Sequence, residues 1–349
     1  MKNLVLLGLA LSIVGCSKSS QPQNPEPTAR PEATSSSGAT PQPSANVTKT
    51  EAVSPAGGQG VKTEMRNVLF HLTTKAAAHI DTLSGELWPA GKNDMPVFDD
   101  KTSFEVRVAN GKIWITTDAL AEIMNRYVFA AKDAPLKDLS ISIKDQKLDI
   151  KGKLHGKGDI SFETSGTVTV NGDGRLRVHT EKVKALHVPV KGMMGLLGIE
   201  LATVLNTSKI DGLDTDKNDL LMDLGGLLPP PHIRGKVTRV AVEGNRIVTL
   251  FGDGGKSAAA AAAQEKDKNY MSFQGNRVRF GKLTMENTDL LLLDLDPADP
   301  LDWNQDRYKD QLVAGYSKIN SAFGLRSYVK DFAKLPRAGA PQPDTVPTD

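Results

Sequence analysis

Residues 250–263 read LFGDGGKSAAAAAA, with Gly255-Lys256-Ser257 set between a β-rich run and an alanine run. A phosphate loop needs Gly, four residues, then Gly-Lys-Ser/Thr, because its first glycine makes the turn whose N–H groups cradle phosphate. That first position is Leu250. The pattern fails, and residues 252–268 read instead as an Ala-rich loop in a long hairpin. DGLDTDKNDLLMD, at 211–223, has the carboxylates of a calcium loop. Counted from Asp214, however, the required sixth-position Gly and twelfth-position Glu are Asp219 and Gly225. A turn before a strand is the expectation there. Asp294, Asp296, Asp299, Asp302 and Asp306 form a second acidic run. Asp-Pro steps and a helix N-cap are the ordinary account of it, and calcium ligation is the alternative. The six histidines (71, 79, 155, 179, 187 and 232) show no HxH or HExxH spacing. His179 and His187 flank one strand region without a third ligand. GYSKI lacks the second glycine of a nucleophile elbow. No catalytic constellation emerges, so the expectation is a non-enzyme without cofactor or metal.

The 349-residue chain has a net charge of +2 with both signs interleaved, which gives no broad basic field for nucleic acid. Its single cysteine, Cys16, excludes an intramolecular disulfide or a Cys-based zinc site. Lys2 precedes LVLLGLALSIVG, an apolar run shorter than the roughly 20 residues a spanning helix needs. Gly15-Cys16 after that run resembles a bacterial lipoprotein signal. The resemblance implies that residues 1–15 are a signal peptide and that Cys16 is diacylated as the mature N-terminus. It also implies that Ser17 directs the protein to the outer membrane, facing the periplasm. The membrane is then a partner through the anchor, in the cell envelope, where ATP is scarce. Residues 16–60 combine the lipidated Cys with a Pro/Ser/Thr/Gln-rich linker too poor in large apolar groups to offset ordering entropy. Such a tether reaches on the order of 35–40 Å. The tail at 336–349 is similarly open.

The elements lie between, in one expected α+β domain at 61–335. Period-2 patterns dominate. SFEVRVANGKIWIT reads as a hairpin turning at Asn110-Gly111. LSISIKDQKLDIKGKL sets Leu139, Ile141 and Ile143 against Leu148, Ile150 and Leu154. DISFETSGTVTVNGDGRLRV continues through Phe162 with NGDG as turn, and GKVTRVAVEGNRIVTLF gives two strands about EGN. NRVRFGKLTMENTDLLLLDLD is expected to end the sheet. Helices are few. TTDALAEIMNRYVF starts at a Thr116 or Thr117 cap and stripes Leu120, Ile123, Met124 and Tyr127. VKGMMGLLGIELATVLN is apolar around much of its circumference, as a core helix or as the wall of an apolar cavity. NQDRYKDQLVAGYSKIN stripes Tyr308, Leu312, Val313 and Tyr316 as a packing helix. Pro229-Pro230-Pro231 is expected to run as polyproline II, either as a stiff crossing or as a cavity lip.

Over about residues 135–250, the order of strand pairs, apolar helix, NDLLMDLGGLLPPP and a final hairpin resembles the LmeA-like phospholipid-binding domains, of the broader tubular lipid-binding type. The alanine-rich insertion and the C-terminal extension depart from that pattern. The likeness implies a long curved antiparallel sheet wrapped around one or two helices, with an apolar groove for acyl chains. The groove candidates are Met193, Met194, Leu197, Leu201, Leu205, Ile141, Ile143 and Phe162. A phospholipid or other apolar molecule is the expected ligand. An adaptor docking an envelope protein, and a hydrolase assembled from distant residues, are the alternatives.

Overall fold

Alternating apolar and polar side chains produce strands wherever one face can be buried, and that pattern governs most of this chain. The computed structural model describes residues 60–155, 159–181, 183–185, 201–253 and 267–336. In chain order the strands are β1 (Val61–His71), β2 (Ala77–Pro89), β3 (Phe104–Thr116), β4 (Leu136–Lys144), β5 (Lys147–Leu154), β6 (Ile160–Val170), β7 (Leu176–Thr180), β8 (Lys184–Ala185), β9 (Leu213–Asp216), β10 (Asp219–Met222), β11 (His232–Arg234), β12 (Val237–Glu243), β13 (Arg246–Phe251), β14 (Tyr270–Gly275), β15 (Val278–Phe280), β16 (Leu283–Met285), β17 (Thr288–Asp294), β18 (Leu301–Asn304), β19 (Tyr316–Ile319) and β20 (Leu325–Val329). The described α-helices are short: α1 (Thr117–Ile123), α2 (Leu201–Val204), α3 (Leu224–Leu227) and α4 (Tyr308–Val313).

The fold is a sheet-rich α+β arrangement of large, curved, mainly antiparallel sheets that do not close into a barrel. The strands divide into two principal sheets rather than one. An 11-stranded sheet runs β12-β13-β3-β2-β1-β14-β17-β20-β19, with β11 beside β3 and β18 beside β1. A 7-stranded sheet runs β4-β5-β6-β7-β10-β9, with β8 beside β6. The expected hairpins β4–β5, β6–β7 and β12–β13 form with the pairings Ile141↔Ile150, Val168↔Val178 and Val240↔Thr249.

Three expectations are corrected. Asn110-Gly111 does not turn the chain, because it lies inside the continuous strand β3. There β2 pairs straight through it (Ser84↔Asn110, Leu83↔Gly111) and β13 pairs on the other side (Phe251↔Gly111). The Asn110 side chain accepts from the Asp253 N–H at 2.8 Å, so long-range pairing overrides the local turn preference. The C-terminal helix is only Tyr308–Val313, after a 3₁₀ turn at Gln305–Arg307. Val313 is exposed, Tyr316 begins strand β19, and the large sheet continues past β17 into β18, β19 and β20. The proline run is not continuous polyproline II, since the Pro230–Pro231 bond is cis.

Helix α1 does start at a Thr116 cap, whose hydroxyl accepts from the Ala119 N–H at 3.2 Å. It then widens into a π-turn at Met124–Val128, closed by the Phe129 N–H on the Met124 carbonyl. The wider turn moves Tyr127 off the buried stripe of Ile123 and Met124 and leaves it exposed. It also aims Asn125 at a bulge in β4. Both Leu139 backbone groups pair with that one side chain: its Nδ2 donates to the Leu139 carbonyl at 2.8 Å and its Oδ1 accepts from the Leu139 N–H at 2.8 Å. Asn125 acts as a one-residue strand. Across the bulge sits Gly152, where a Cβ would lie 2.8 Å from Leu139 Cδ2 and 3.1 Å from Phe162 Cε1. The missing side chain lets both reach the interior. Asn125→Ala is expected to strip both Leu139 groups of their partner and to cost about 1–3 kcal/mol in urea unfolding. A loss below a few tenths would mean that water replaces the amide.

Candidate functional site

Between the two sheets lie two adjoining apolar cavities. The first, of about 70 Å³, is floored by the 7-stranded sheet through Ile141, Leu148, Phe162 and Val178 and roofed by Leu120 and Met124. Leu201 and Leu205 close one side. The second, of about 80 Å³, reaches into the large sheet against Ala78, Ile113, Ile247 and Phe251. Leu120, Leu148, Val178 and Met222 border both cavities and form the partition between them. Leu148 and Val178 are each 2% exposed, so this partition belongs to the interior.

The few polar side chains at these walls already have partners. The Thr164 hydroxyl donates to the Glu181 carbonyl at 3.2 Å and the Thr180 hydroxyl to the Asn218 carbonyl at 2.7 Å. In the second cavity the Thr249 hydroxyl donates to the Ile113 carbonyl at 3.0 Å, and Trp114 Nε1 donates to Asp81 at 3.0 Å. Among the described wall side chains no polar hydrogen is left over for a guest, so a water there would find few partners. Such a space stays dry and admits apolar groups. Each cavity is about half the volume of one that holds a benzene molecule, so each fits a few methylenes rather than a whole chain.

Of the residues singled out from sequence, Ile141, Phe162, Leu201 and Leu205 meet at the first cavity. Ile143, two pairs nearer the β4–β5 turn and opposite Leu148, packs on the core without lining either space. Met193, Met194 and Leu197, like Cys16 and most of the helix expected at 191–206, lie outside the described residues, and the described part of that stretch is helical only at Leu201–Val204. Sequence reading missed the partition. Leu148 and Val178 were legible as inward strand positions, but nothing local distinguishes a cavity wall from a filled core.

The acidic runs serve structure. Asp214 pairs with Arg175 at 2.5 Å, and Asp219 accepts from Arg177 at 2.6 Å and His179 at 2.5 Å, which ties the β9–β10 hairpin to β7. Asp302 accepts from the Ala333 N–H at 2.9 Å and meets His71 Nε2 at 2.6 Å, fastening the C-terminal segment to β1. Asn304, rather than an aspartate, caps the 3₁₀ turn through the Asp306 and Arg307 N–H groups. Among the described residues, no group of three or more His, Cys, Asp or Glu side chains is arranged to hold a metal ion.

Asp294 is buried, as Asp302 is, and its carboxyl is the one shifted furthest. Desolvation pushes its carboxyl from the ordinary 3.8 up to about 6, with Asp331 and Asp299 adding to the rise and the Asn269 and Asp296 hydrogen bonds opposing it. The folded protein therefore binds this proton more tightly than the unfolded chain does. The stability it brings is complete below pH 3.8 and is lost as pH rises through about 6. Asp294→Asn removes that dependence. Its melting temperature relative to the parent is expected to climb between pH 4 and pH 7, read by calorimetry at each pH. A constant offset would contradict the burial argument.

No protein-family model, curated protein or solved structure matches this chain.

Proposed function

We propose that this chain is an envelope lipoprotein that binds the acyl portion of a lipid, or a similar apolar ligand, between its two sheets. The observation that supports the reading is the pair of adjoining cavities whose described polar wall side chains are internally bonded. The resemblance at Gly15-Cys16 to a lipoprotein signal supplies the setting: a body anchored through Cys16 at the outer membrane, facing the periplasm. The same proposal includes the finer arrangement, curved sheets wrapped around one or two helices behind an N-terminal linker, in the manner of the LmeA-like domains.

Each buried methylene contributes about 0.8 kcal/mol, so a few in each cavity give several kcal/mol. A chain that passes through both must displace the partition. Met222 is the unbranched, adaptable member of that partition and is the side chain expected to swing aside. Residues here bind and exclude water, and no bond is made or broken.

The test is native mass spectrometry of the full chain carrying Cys16→Ser, purified gently from cells and then exchanged with phospholipid vesicles. Stoichiometric lipid that survives purification supports the reading. Protein recovered empty, with no uptake from vesicles, overturns it.

A further inference from the structure

The C-terminal edge of the large sheet carries an exposed apolar strip. Val313 is 72% exposed, Tyr316 45%, Ile319 70% and Phe323 90%. Among the described residues strand β19 ends the sheet, and its outer side is an open edge. Phe323 is not loosely exposed. It sits in the Asn320–Gly324 turn, where the Asn320 side chain accepts from the Ala322 and Gly324 N–H groups at 3.0 and 2.7 Å. The Asn320 N–H donates to the Gly324 carbonyl at 2.9 Å, and the Phe323 N–H to the Asn320 carbonyl at 3.0 Å. The turn holds Phe323 at φ +63°, a region that bulky side chains rarely occupy. Gly324 locks the turn onto β17, since a Cβ there would lie 2.0 Å from Asp289 Oδ2. A strained, well-bonded turn thus presents an aromatic ring to solvent.

The carboxylates beside the strip are already paired: Asp289 with Arg326, Asp310 with Arg307 and Asp331 with Lys334. Residues 311–330 contain Lys318, Arg326 and Lys330 and no Asp or Glu. Arg326 is paired with Asp289, whereas Lys318 lies over the Tyr316 ring at 5.2 Å and has no carboxylate partner among the described residues. An aromatic and aliphatic edge with an uncommitted lysine beside it matches the boundary between acyl chains and anionic headgroups. A second copy of this chain fits less well. The strand is four residues long and carries Lys318 within it, the two devices that discourage edge-to-edge pairing.

We infer that the β19 edge and its Phe323 turn dock on an anionic lipid surface. Phe323 enters the acyl boundary and Lys318 meets phosphate, while the open strand edge stays at headgroup level, where water satisfies its N–H groups. The contact stands independently of whether the cavities hold a ligand.

Cys16 is the chain's only cysteine, so Cys16→Ser with Phe323→Cys leaves one thiol in the full chain for a polarity-sensitive dye. With vesicles of phosphatidylethanolamine and phosphatidylglycerol, the dye's emission is expected to shift to the blue and to rise at least twofold. The same dye at Leu283→Cys, an exposed apolar site elsewhere, is expected to stay unchanged. Ile319→Ser with Phe323→Asn suits the turn's backbone, and it is expected to cut vesicle partitioning at least tenfold with no loss of thermal stability. Filling the cavity by Leu148→Trp is expected to leave vesicle docking intact, which separates this contact from ligand binding. A dye that stays in water beside vesicles overturns the inference. So does an emission change that tracks protein concentration without lipid, because it would mark a second copy as the occupant.

Discussion

Leu148→Trp is expected to weaken acyl-ligand uptake at least tenfold while shifting the melting temperature by no more than about 4 °C, the equivalent of about 2 kcal/mol at this size. Leu148 borders both cavities and is 2% exposed. An indole at this position extends into empty space, so it meets less of the overpacking penalty that a filled core imposes. It also occupies the volume that a guest needs. Tenfold is about 1.4 kcal/mol, the burial of roughly two methylenes. Leu148→Ala is expected to act in the opposite sense. It enlarges the space, costs about 2–5 kcal/mol of stability, and leaves binding of a long chain as tight or tighter. Titration of a fluorescent fatty acid beside thermal melts reads both. If the tryptophan variant binds normally, the ligand lies elsewhere.

The largest expected loss of stability from one polar side chain is at Gln311, which is 0% exposed. Its Oε1 accepts from the Asn304 N–H at 2.9 Å, and its Nε2 donates to the Asp302 carbonyl at 2.7 Å and the Lys330 carbonyl at 2.8 Å. One amide from α4 thus joins the end of β18 to the segment after β20. Gln311→Leu keeps the bulk but leaves one N–H and two carbonyls unpaired in the interior. At about 1–3 kcal/mol for each group, the loss is expected to reach at least about 3 kcal/mol in urea unfolding. Gln311→Glu keeps the acceptor yet turns oxygen toward two carbonyls, so it is expected to be no better. A loss below about 1 kcal/mol would show that water enters and repairs the network.

These two positions show what a linear pattern can and cannot reveal. Ile141, Phe162 and Leu148 advertise themselves by alternation, which assigns each to the inner face of a strand. Whether inner faces meet and fill, or meet and leave a gap, depends on Gly152, the Asn125 bulge and the π-turn, and these are set by partners far away in sequence. The misread Asn110-Gly111 turn has the same cause: β2 and β13 hold β3 straight where local preference would bend it. The short C-terminal strands were hidden by helix-like spacing at Tyr308, Leu312, Val313 and Tyr316. That spacing stays helical only as far as Val313, and the chain then crosses to the sheet edge. Gln311 carries no sequence signal, because a glutamine buried with three partners and one in water look alike until the backbone around them is placed.

Photochemical mapping tests the central claim most directly. A fatty acid with a diazirine at mid-chain would be equilibrated with the full chain carrying Cys16→Ser, irradiated, and the labelled peptides read by mass spectrometry. Labels are expected on Leu148, Val178, Met222 and Leu205, and are expected to fall away in Leu148→Trp. Labels confined to the 313–323 edge, or spread over the surface with the cavity residues untouched, would contradict an acyl site between the sheets.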